Sequence, residues 1–213
     1  MQYNATTIFW RHSLETLQEA STEIITEPVA TADENNGSFW RFLLDLVETL
    51  VLSVALFLVI NAVTARVLVE GFSMRPTLDN GQYVLVNKMA FRSSLPEYGD
   101  IIVFHFPVDP DQDFIKRVIG LPGDEIQIGD GKVIVNGYSL TEPYIAASPT
   151  YAGQWTVPEE QLFVLGDNRN NSSDSHSWGP VPLENVVGKA IFVYWPPPNW
   201  HLIEHIQIEI QSP

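Results

Sequence analysis

The chain has 213 residues, 45% of them hydrophobic, and a formal net charge of −15. That length and composition suit one ample folded domain with extensions. The acidity argues against a nucleic-acid partner, whose recognition rests on Lys and Arg, and against charge-driven adhesion to anionic lipid. The absence of cysteine excludes disulfides, thiolate metal sites and a thiol nucleophile.

Residues 1–41 are polar and acidic. Glu15, Glu19, Glu23 and Glu27 recur every four residues, with Leu14, Leu17, Ile24 and Ile25 between them, which predicts a short amphipathic helix before Pro28. Thr31 to Ser38 reads as a linker. Residues 42–65 begin with a run apolar enough to span a bilayer and end in a juxtamembrane linker. Asp45 and Glu48 share one helix face near its start, and the uninterrupted run Leu50 to Ile60 offsets their cost. Trp40 and Arg41 fit an interfacial anchor.

Residues 66–198 read as β. Tyr83 to Val86, Ile101 to Phe106, Phe114 to Ile119, Gln161 to Leu165 and Val187 to Tyr194 are β-branched or aromatic runs between turn residues. Glu125 to Ile128 and Lys132 to Val135 flank a Gly-Asp-Gly hairpin loop, and Asn136-Gly137 turns the chain again into Tyr138 to Leu140. The expected fold is mainly β: an antiparallel, partly closed barrel-like domain preceded by one transmembrane helix. The proline run after Trp195 ends it, since proline cannot continue a ladder. Residues 199–213 form a tail in which Ile206, Ile208 and Ile210 alternate as in an edge strand.

Two residues stand out chemically. Ser73 lies between Gly71 and Pro76, and a serine needs a base to become a nucleophile. None of the five histidines stands in a recognisable catalytic arrangement; His105, among apolar neighbours, is expected to be a core residue. Lys116 lies in an apolar strand. Alternation places Phe114 and Val118 on its face and Ile115, Arg117 and Ile119 opposite. Burial disfavours its ammonium and prepares the neutral amine that a general base requires. No HExxH or similar spacing occurs, so no metal or other cofactor is expected.

Four blocks in order carry a resemblance: Ser73-Met74-Arg75-Pro76-Thr77-Leu78; Tyr83 to Lys88; Gly99 to Phe104 with Phe114 to Asp124; and Gly166-Asp167-Asn168-Arg169 through Ser175. Together they resemble type I signal peptidase, the membrane-bound Ser/Lys peptidase of exported preproteins. The resemblance implies that Ser73 is the nucleophile and Lys116 the general base. It implies that Ser172 orients the lysine by a hydrogen bond, that Arg117 pairs with Asp167, and that Asp174 plays a structural part. Asp174 would pair here with His176, where some members have arginine. Val69, Met74, Leu78, Phe114 and Ile115 would line shallow substrate pockets, with Met74, Arg75 and Leu78 resting on the lipid surface. The backbone N–H of the nucleophile would bind the oxyanion, and Gly71 stands where some members add a serine hydroxyl.

The implied partners are preprotein signal peptides and the lipid bilayer. The implied location is a bacterial plasma or thylakoid membrane, with the N-terminus inside and the catalytic domain outside. Val63-Thr64-Ala65 before Arg66 also has the small residues of such a cut site, although a plain linker is the simpler reading. Two alternatives stand beside this one. A self-cleaving repressor uses the same dyad but needs a basic DNA-binding domain upstream. A non-catalytic, membrane-tethered β module would bind peptides at its strand edges.

Overall fold

The computed structural model describes residues 34–204 and 210–211. The expected helix around Glu15 to Glu27 lies outside these residues, as do Ile206 and Ile208. The chain divides into two compact units, Met1–Val54 and Ala55–Pro213.

A helix runs over Glu34–Val63. At 1.5 Å per residue it is about 45 Å long, more than a hydrocarbon core requires. Its segment Ser38–Val63 has the length and composition to cross a membrane and has no buried residue. The hydroxyls that interrupt its apolar surface do not stand unpaired. Thr49 donates to the Asp45 carbonyl and Ser53 to the Thr49 carbonyl, each at 2.7 Å. This back-bonding lets a polar side chain sit on a helix without water. The helix starts earlier than the linker expected up to Ser38, because the residues from Glu34 onward join its first turns.

No linker follows the helix. Strand β1 (Thr64–Leu68) begins directly at its end and pairs antiparallel with β2 (Tyr83–Asn87), Thr64 opposite Asn87 and Leu68 opposite Tyr83. The remaining strands are β3 (Ile101–His105), β4 (Asp113–Gly120), β5 (Glu125–Gly129), β6 (Lys132–Val135), β7 (Tyr138–Leu140), β8 (Gly153–Thr156), β9 (Gln161–Leu165), β10 (Val181–Pro182), β11 (Val186–Trp195), β12 (His201–Leu202) and β13 (Ile210–Gln211).

They form two antiparallel sheets. The larger has the order β1-β2-β11-β3-β4-β9-β10, with β12 added to β11. The smaller has the order β13-β7-β6-β5-β8. The mainly β, antiparallel fold read from the sequence is therefore the fold observed. Register shifts in β11 opposite both β2 and β3, and in β4 opposite β9, bend the larger sheet out of plane. The chain does not leave the fold at the prolines: β12 and β13 return to pair with β11 and β7.

Strand β4 organises the interior, being buried from Ile115 to Gly120. Ile115 joins one apolar cluster with Val69, Met74, Leu78, Val84 and Val103. Val118 joins another with Ile102, Phe104 and Val164, against which Phe114 packs. Ile119 joins a third, built largely from the smaller sheet. The face alternation expected along Phe114 to Ile119 is the one observed.

Candidate active site

Ser73 opens a tight run of turns between β1 and β2. Two side chains pin this run. Met74 and Leu78 are 1% and 0% exposed, and the Leu78 N–H donates to the Met74 carbonyl at 2.9 Å. Both had been expected on a substrate or lipid surface. They are core residues instead, because they close the end of the sheet beside Val84 and Val86. Val69, 3% exposed, belongs to the same cluster. Ser73 itself is left half-buried at the cleft.

Lys116 reaches Ser73 from β4, opposite Ile102 on β3. Its Nζ lies 2.8 Å from Ser73 Oγ and 3.0 Å from the Ile115 carbonyl oxygen. The side chain is 4% exposed, and the Phe114 ring lies 5.2 Å from Nζ. Desolvation lowers the Lys116 pKa from 10.5 to about 8, against the opposing pull of the Asp174 and Asp167 carboxylates. Near neutrality about a tenth of this amine is therefore uncharged, and its nitrogen stands within hydrogen-bond reach of the Ser73 hydroxyl.

The expected partner Ser172 does not make the hydrogen bond to Lys116. Its Oγ is buried without a partner among the described residues, and the Ile115 carbonyl is the second group that Lys116 engages. Ser172 instead stands against the backbone at Gly166. A Cβ there would collide with both Ser172 Oγ and the Ser73 carbonyl oxygen, so only glycine allows these segments to approach so closely.

Arg117, the next residue on β4, points away from Lys116 and is 0% exposed. It forks onto Asp167, Nε to Oδ1 at 2.8 Å and Nη2 to Oδ2 at 2.7 Å, as expected. It also donates to the Gly99 carbonyl and stacks 4.0 Å from the Tyr144 ring centroid. Asp167 accepts a further hydrogen bond from Thr77 Oγ1 at 2.5 Å. One carboxylate thus ties the strand that bears the lysine to the turn that bears the serine.

Asp174 is fully buried and caps the short helix Ser175–Trp178. Its Oδ2 accepts the Gly166 N–H at 2.9 Å, and its Oδ1 pairs with His176 Nδ1 at 2.5 Å. The expected Asp174–His176 pair is present, and the imidazole stacks on Tyr151 at 4.0 Å. His105, by contrast, is not a core residue. It ends β3 with 52% of its side chain exposed and pairs with Asp113.

A cleft of about 440 Å³ opens over the dyad, lined by Val67, Leu68, Glu70, Ser73, Phe114, Ile115, Lys116 and Ser173 and by the Asp111–Asp113 turn. Phe114 and Ile115 line this cleft; Val69, Met74 and Leu78 do not. Three further residues escaped the sequence reading. Glu142 forms a buried double contact with Arg169, at 2.7 and 2.6 Å. Asn80 accepts the Gly71 N–H at 2.8 Å, and Asn168 holds the backbone on either side of the Ser73 amide. Asn168 stands within a quoted block, but no periodicity or charge pattern marks its role.

Comparison with known proteins bears on the whole of this arrangement. The family described as "Signal peptidase, peptidase S26" matches residues 43–195. The probable signal peptidase I-2 of Synechocystis is 44% identical over 75% of this chain and 77% of its own. Signal peptidase I of Leptolyngbya laminosa is 43% identical over 72% of this chain and 80% of its own. Thylakoidal processing peptidase 1 of Arabidopsis thaliana is 40% identical over 59% of this chain and 40% of its own. A match that takes in the apolar helix, the Ser73 turns and strands β1 to β11 leaves one assignment: this chain belongs to the signal peptidase family, peptidase S26, and is a serine endopeptidase of the signal peptidase I kind.

Proposed function

We propose that this protein is a membrane-anchored endopeptidase that removes signal peptides from exported preproteins with Ser73 as nucleophile and Lys116 as general base. The observation that carries the mechanism is the 2.8 Å contact between Ser73 Oγ and a buried lysine whose pKa falls to about 8. The names of the relatives support the substrate class.

The peptide lies extended along the cleft, its carbonyl carbon above Ser73. Neutral Lys116 takes the Ser73 proton as Oγ attacks, giving a tetrahedral intermediate and an ammonium. The ammonium then returns the proton to the leaving amine, the C–N bond breaks, and an ester to Ser73 remains. Water, deprotonated by the same amine, cleaves that ester and releases the carboxylate. The oxyanion is met by the Ser73 N–H, which has no protein acceptor among the described residues. Gly71 offers no hydroxyl to assist.

Phe114 and Ile115 line the cleft and, in this reading, border the pocket that takes a small side chain just before the cut. The helix Ser38–Val63 supplies the anchor, in a bacterial plasma or thylakoid membrane, with the N-terminus inside and the β domain outside. In detergent, the protein is expected to cut a preprotein after a small residue, mapped by mass spectrometry. Ser73→Ala and Lys116→Arg should each abolish the cut in a folded protein. The arginine fails because guanidinium stays charged at any working pH. Turnover by either variant would refute the dyad.

A further inference from the structure

We propose that Asn168 is a positioning residue that sets the direction and strength of the oxyanion donor, an inference that rests on the Ser73/Lys116 reading and deepens it. The donor is the Ser73 N–H, and it belongs to the same rigid plane as the Phe72 carbonyl. In a trans peptide these two groups point in opposite directions, so whatever holds the carbonyl also aims the N–H.

Asn168 holds it. Its Nδ2 donates to the Phe72 carbonyl at 3.0 Å, and its backbone N–H donates to the Ser73 carbonyl at 2.9 Å. One residue therefore grips the chain on both sides of the donor amide. The Arg75 N–H adds a longer bond to the Phe72 carbonyl, at 3.2 Å. Upstream, Gly71 has a φ of +88° and is fixed by the Asn80 side chain. The peptide plane is thus held from its carbonyl end, with its N–H left open. Phe72 itself does not supply the rigidity: it is 44% exposed, and its ring meets the half-exposed Arg75 guanidinium, which is paired with Asp79.

The bond to the carbonyl has a second effect. Pulling electron density toward the carbonyl oxygen makes the N–H of the same amide a stronger donor, by about 10–30% per bond. This chain has particular need of that gain, because Gly71 carries no hydroxyl that would share the developing charge. The contribution exists only once the substrate carbonyl becomes an oxyanion, so it appears in kcat and not in substrate binding.

The test uses the full chain in detergent and compares the wild type with Asn168→Ala, Asn168→Ser and Ser73→Ala. Asn168→Ser keeps a small polar side chain that is too short to reach the Phe72 carbonyl, and serves if alanine fails to fold. The readouts are peptide cleavage and two probes: an Ala-ended peptide aldehyde, which forms an oxyanion on Ser73, and the matching peptide amide, which does not. Removing a whole oxyanion donor costs about 10²–10³ in kcat, so a misaimed donor should cost roughly tenfold or more. The expected result is that loss in kcat, an equal loss of aldehyde affinity, and no change in KM, in amide affinity or in the midpoint of the pH–rate profile. Unchanged kcat in a folded Asn168 variant, or equal weakening of aldehyde and amide, would overturn the role of Asn168 while leaving the dyad intact if Ser73→Ala is inactive. An active Ser73→Ala would overturn both.

Discussion

Lys116 is held in a place that suits its chemistry and not the stability of the fold. Lowering its pKa from 10.5 to about 8 costs about 3 kcal/mol wherever the unfolded chain keeps its ammonium. The sign follows from proton counts. Between pH 8 and 10.5 the unfolded state binds more protons than the folded one, so stability rises across that window; below pH 8 the penalty is present in full. Lys116→Met should therefore be more stable than the wild type at pH 7, by up to about 3 kcal/mol less the two lost hydrogen bonds. The gap should close by pH 10.5, as read from urea unfolding. Activity should follow the same proton in the wild type. The value of kcat/KM should climb tenfold per pH unit below 8 and level off above it, and His105→Ala should leave this profile unmoved because that imidazole stands exposed beside Asp113.

At the scale of elements, β4 and the segment after β9 meet through two buried carboxylates with different duties. Asp167 neutralises Arg117 and holds Thr77. Asp167→Ala leaves a buried guanidinium unpaired and should destabilise the fold by about 3–5 kcal/mol, whereas replacing Arg117 and Asp167 together with apolar residues should cost much less. Calorimetric midpoints of the single and double variants decide this. Asp174 acts on the lysine through charge, holding its pKa up. Asp174→Asn should shift the midpoint of the pH–rate profile below 8, with a modest loss of stability because an amide keeps only one of the two acceptor oxygens that serve Gly166 and His176.

How far such relations could be read beforehand depended on whether a period carries them. Alternation along β4 correctly separated Lys116 from Arg117, because a strand imposes a period of two. The Ser73 turns have no period, so nothing in the sequence indicates that Met74 and Leu78 point inward. The burial of His105 was misjudged because apolar neighbours in sequence do not reveal where a strand ends. Thr64-Ala65 read as the end of a linker but is the paired start of β1, and a cut before Arg66 would require that strand to come away from β2. The Glu142–Arg169 contact joins positions 27 residues apart, a relation no local pattern encodes.

For the molecule as a whole, a net charge of −15 and an apolar helix divide two tasks. In the function proposed above, the charge keeps the protein away from anionic surfaces and the helix supplies attachment by burial alone. The full chain should float with liposomes whether the salt is low or high, since no electrostatic attraction is there to be screened. A chain of residues 60–213 keeps every strand found among the described residues and the Val63 carbonyl that accepts the Lys88 N–H. It should stay in the aqueous fraction yet still cut short peptides, which a flotation assay paired with a peptide assay would measure.

The amine proposed as the base also marks the protein for chemical labelling. At pH 7 about a tenth of an amine with a pKa of 8 is unprotonated, against fewer than about one in a thousand for an ordinary lysine. Lys88 and Lys132 stand exposed on the surface, but Lys116 is the lysine most ready to react with an electrophile small enough to enter the cleft. Cyanate at neutral pH should therefore carbamylate Lys116 ahead of the exposed lysines, and activity should fall in step with that adduct and not with modification of the α-amine. A peptide bound in the cleft should shield it, and tryptic mapping would locate the adduct.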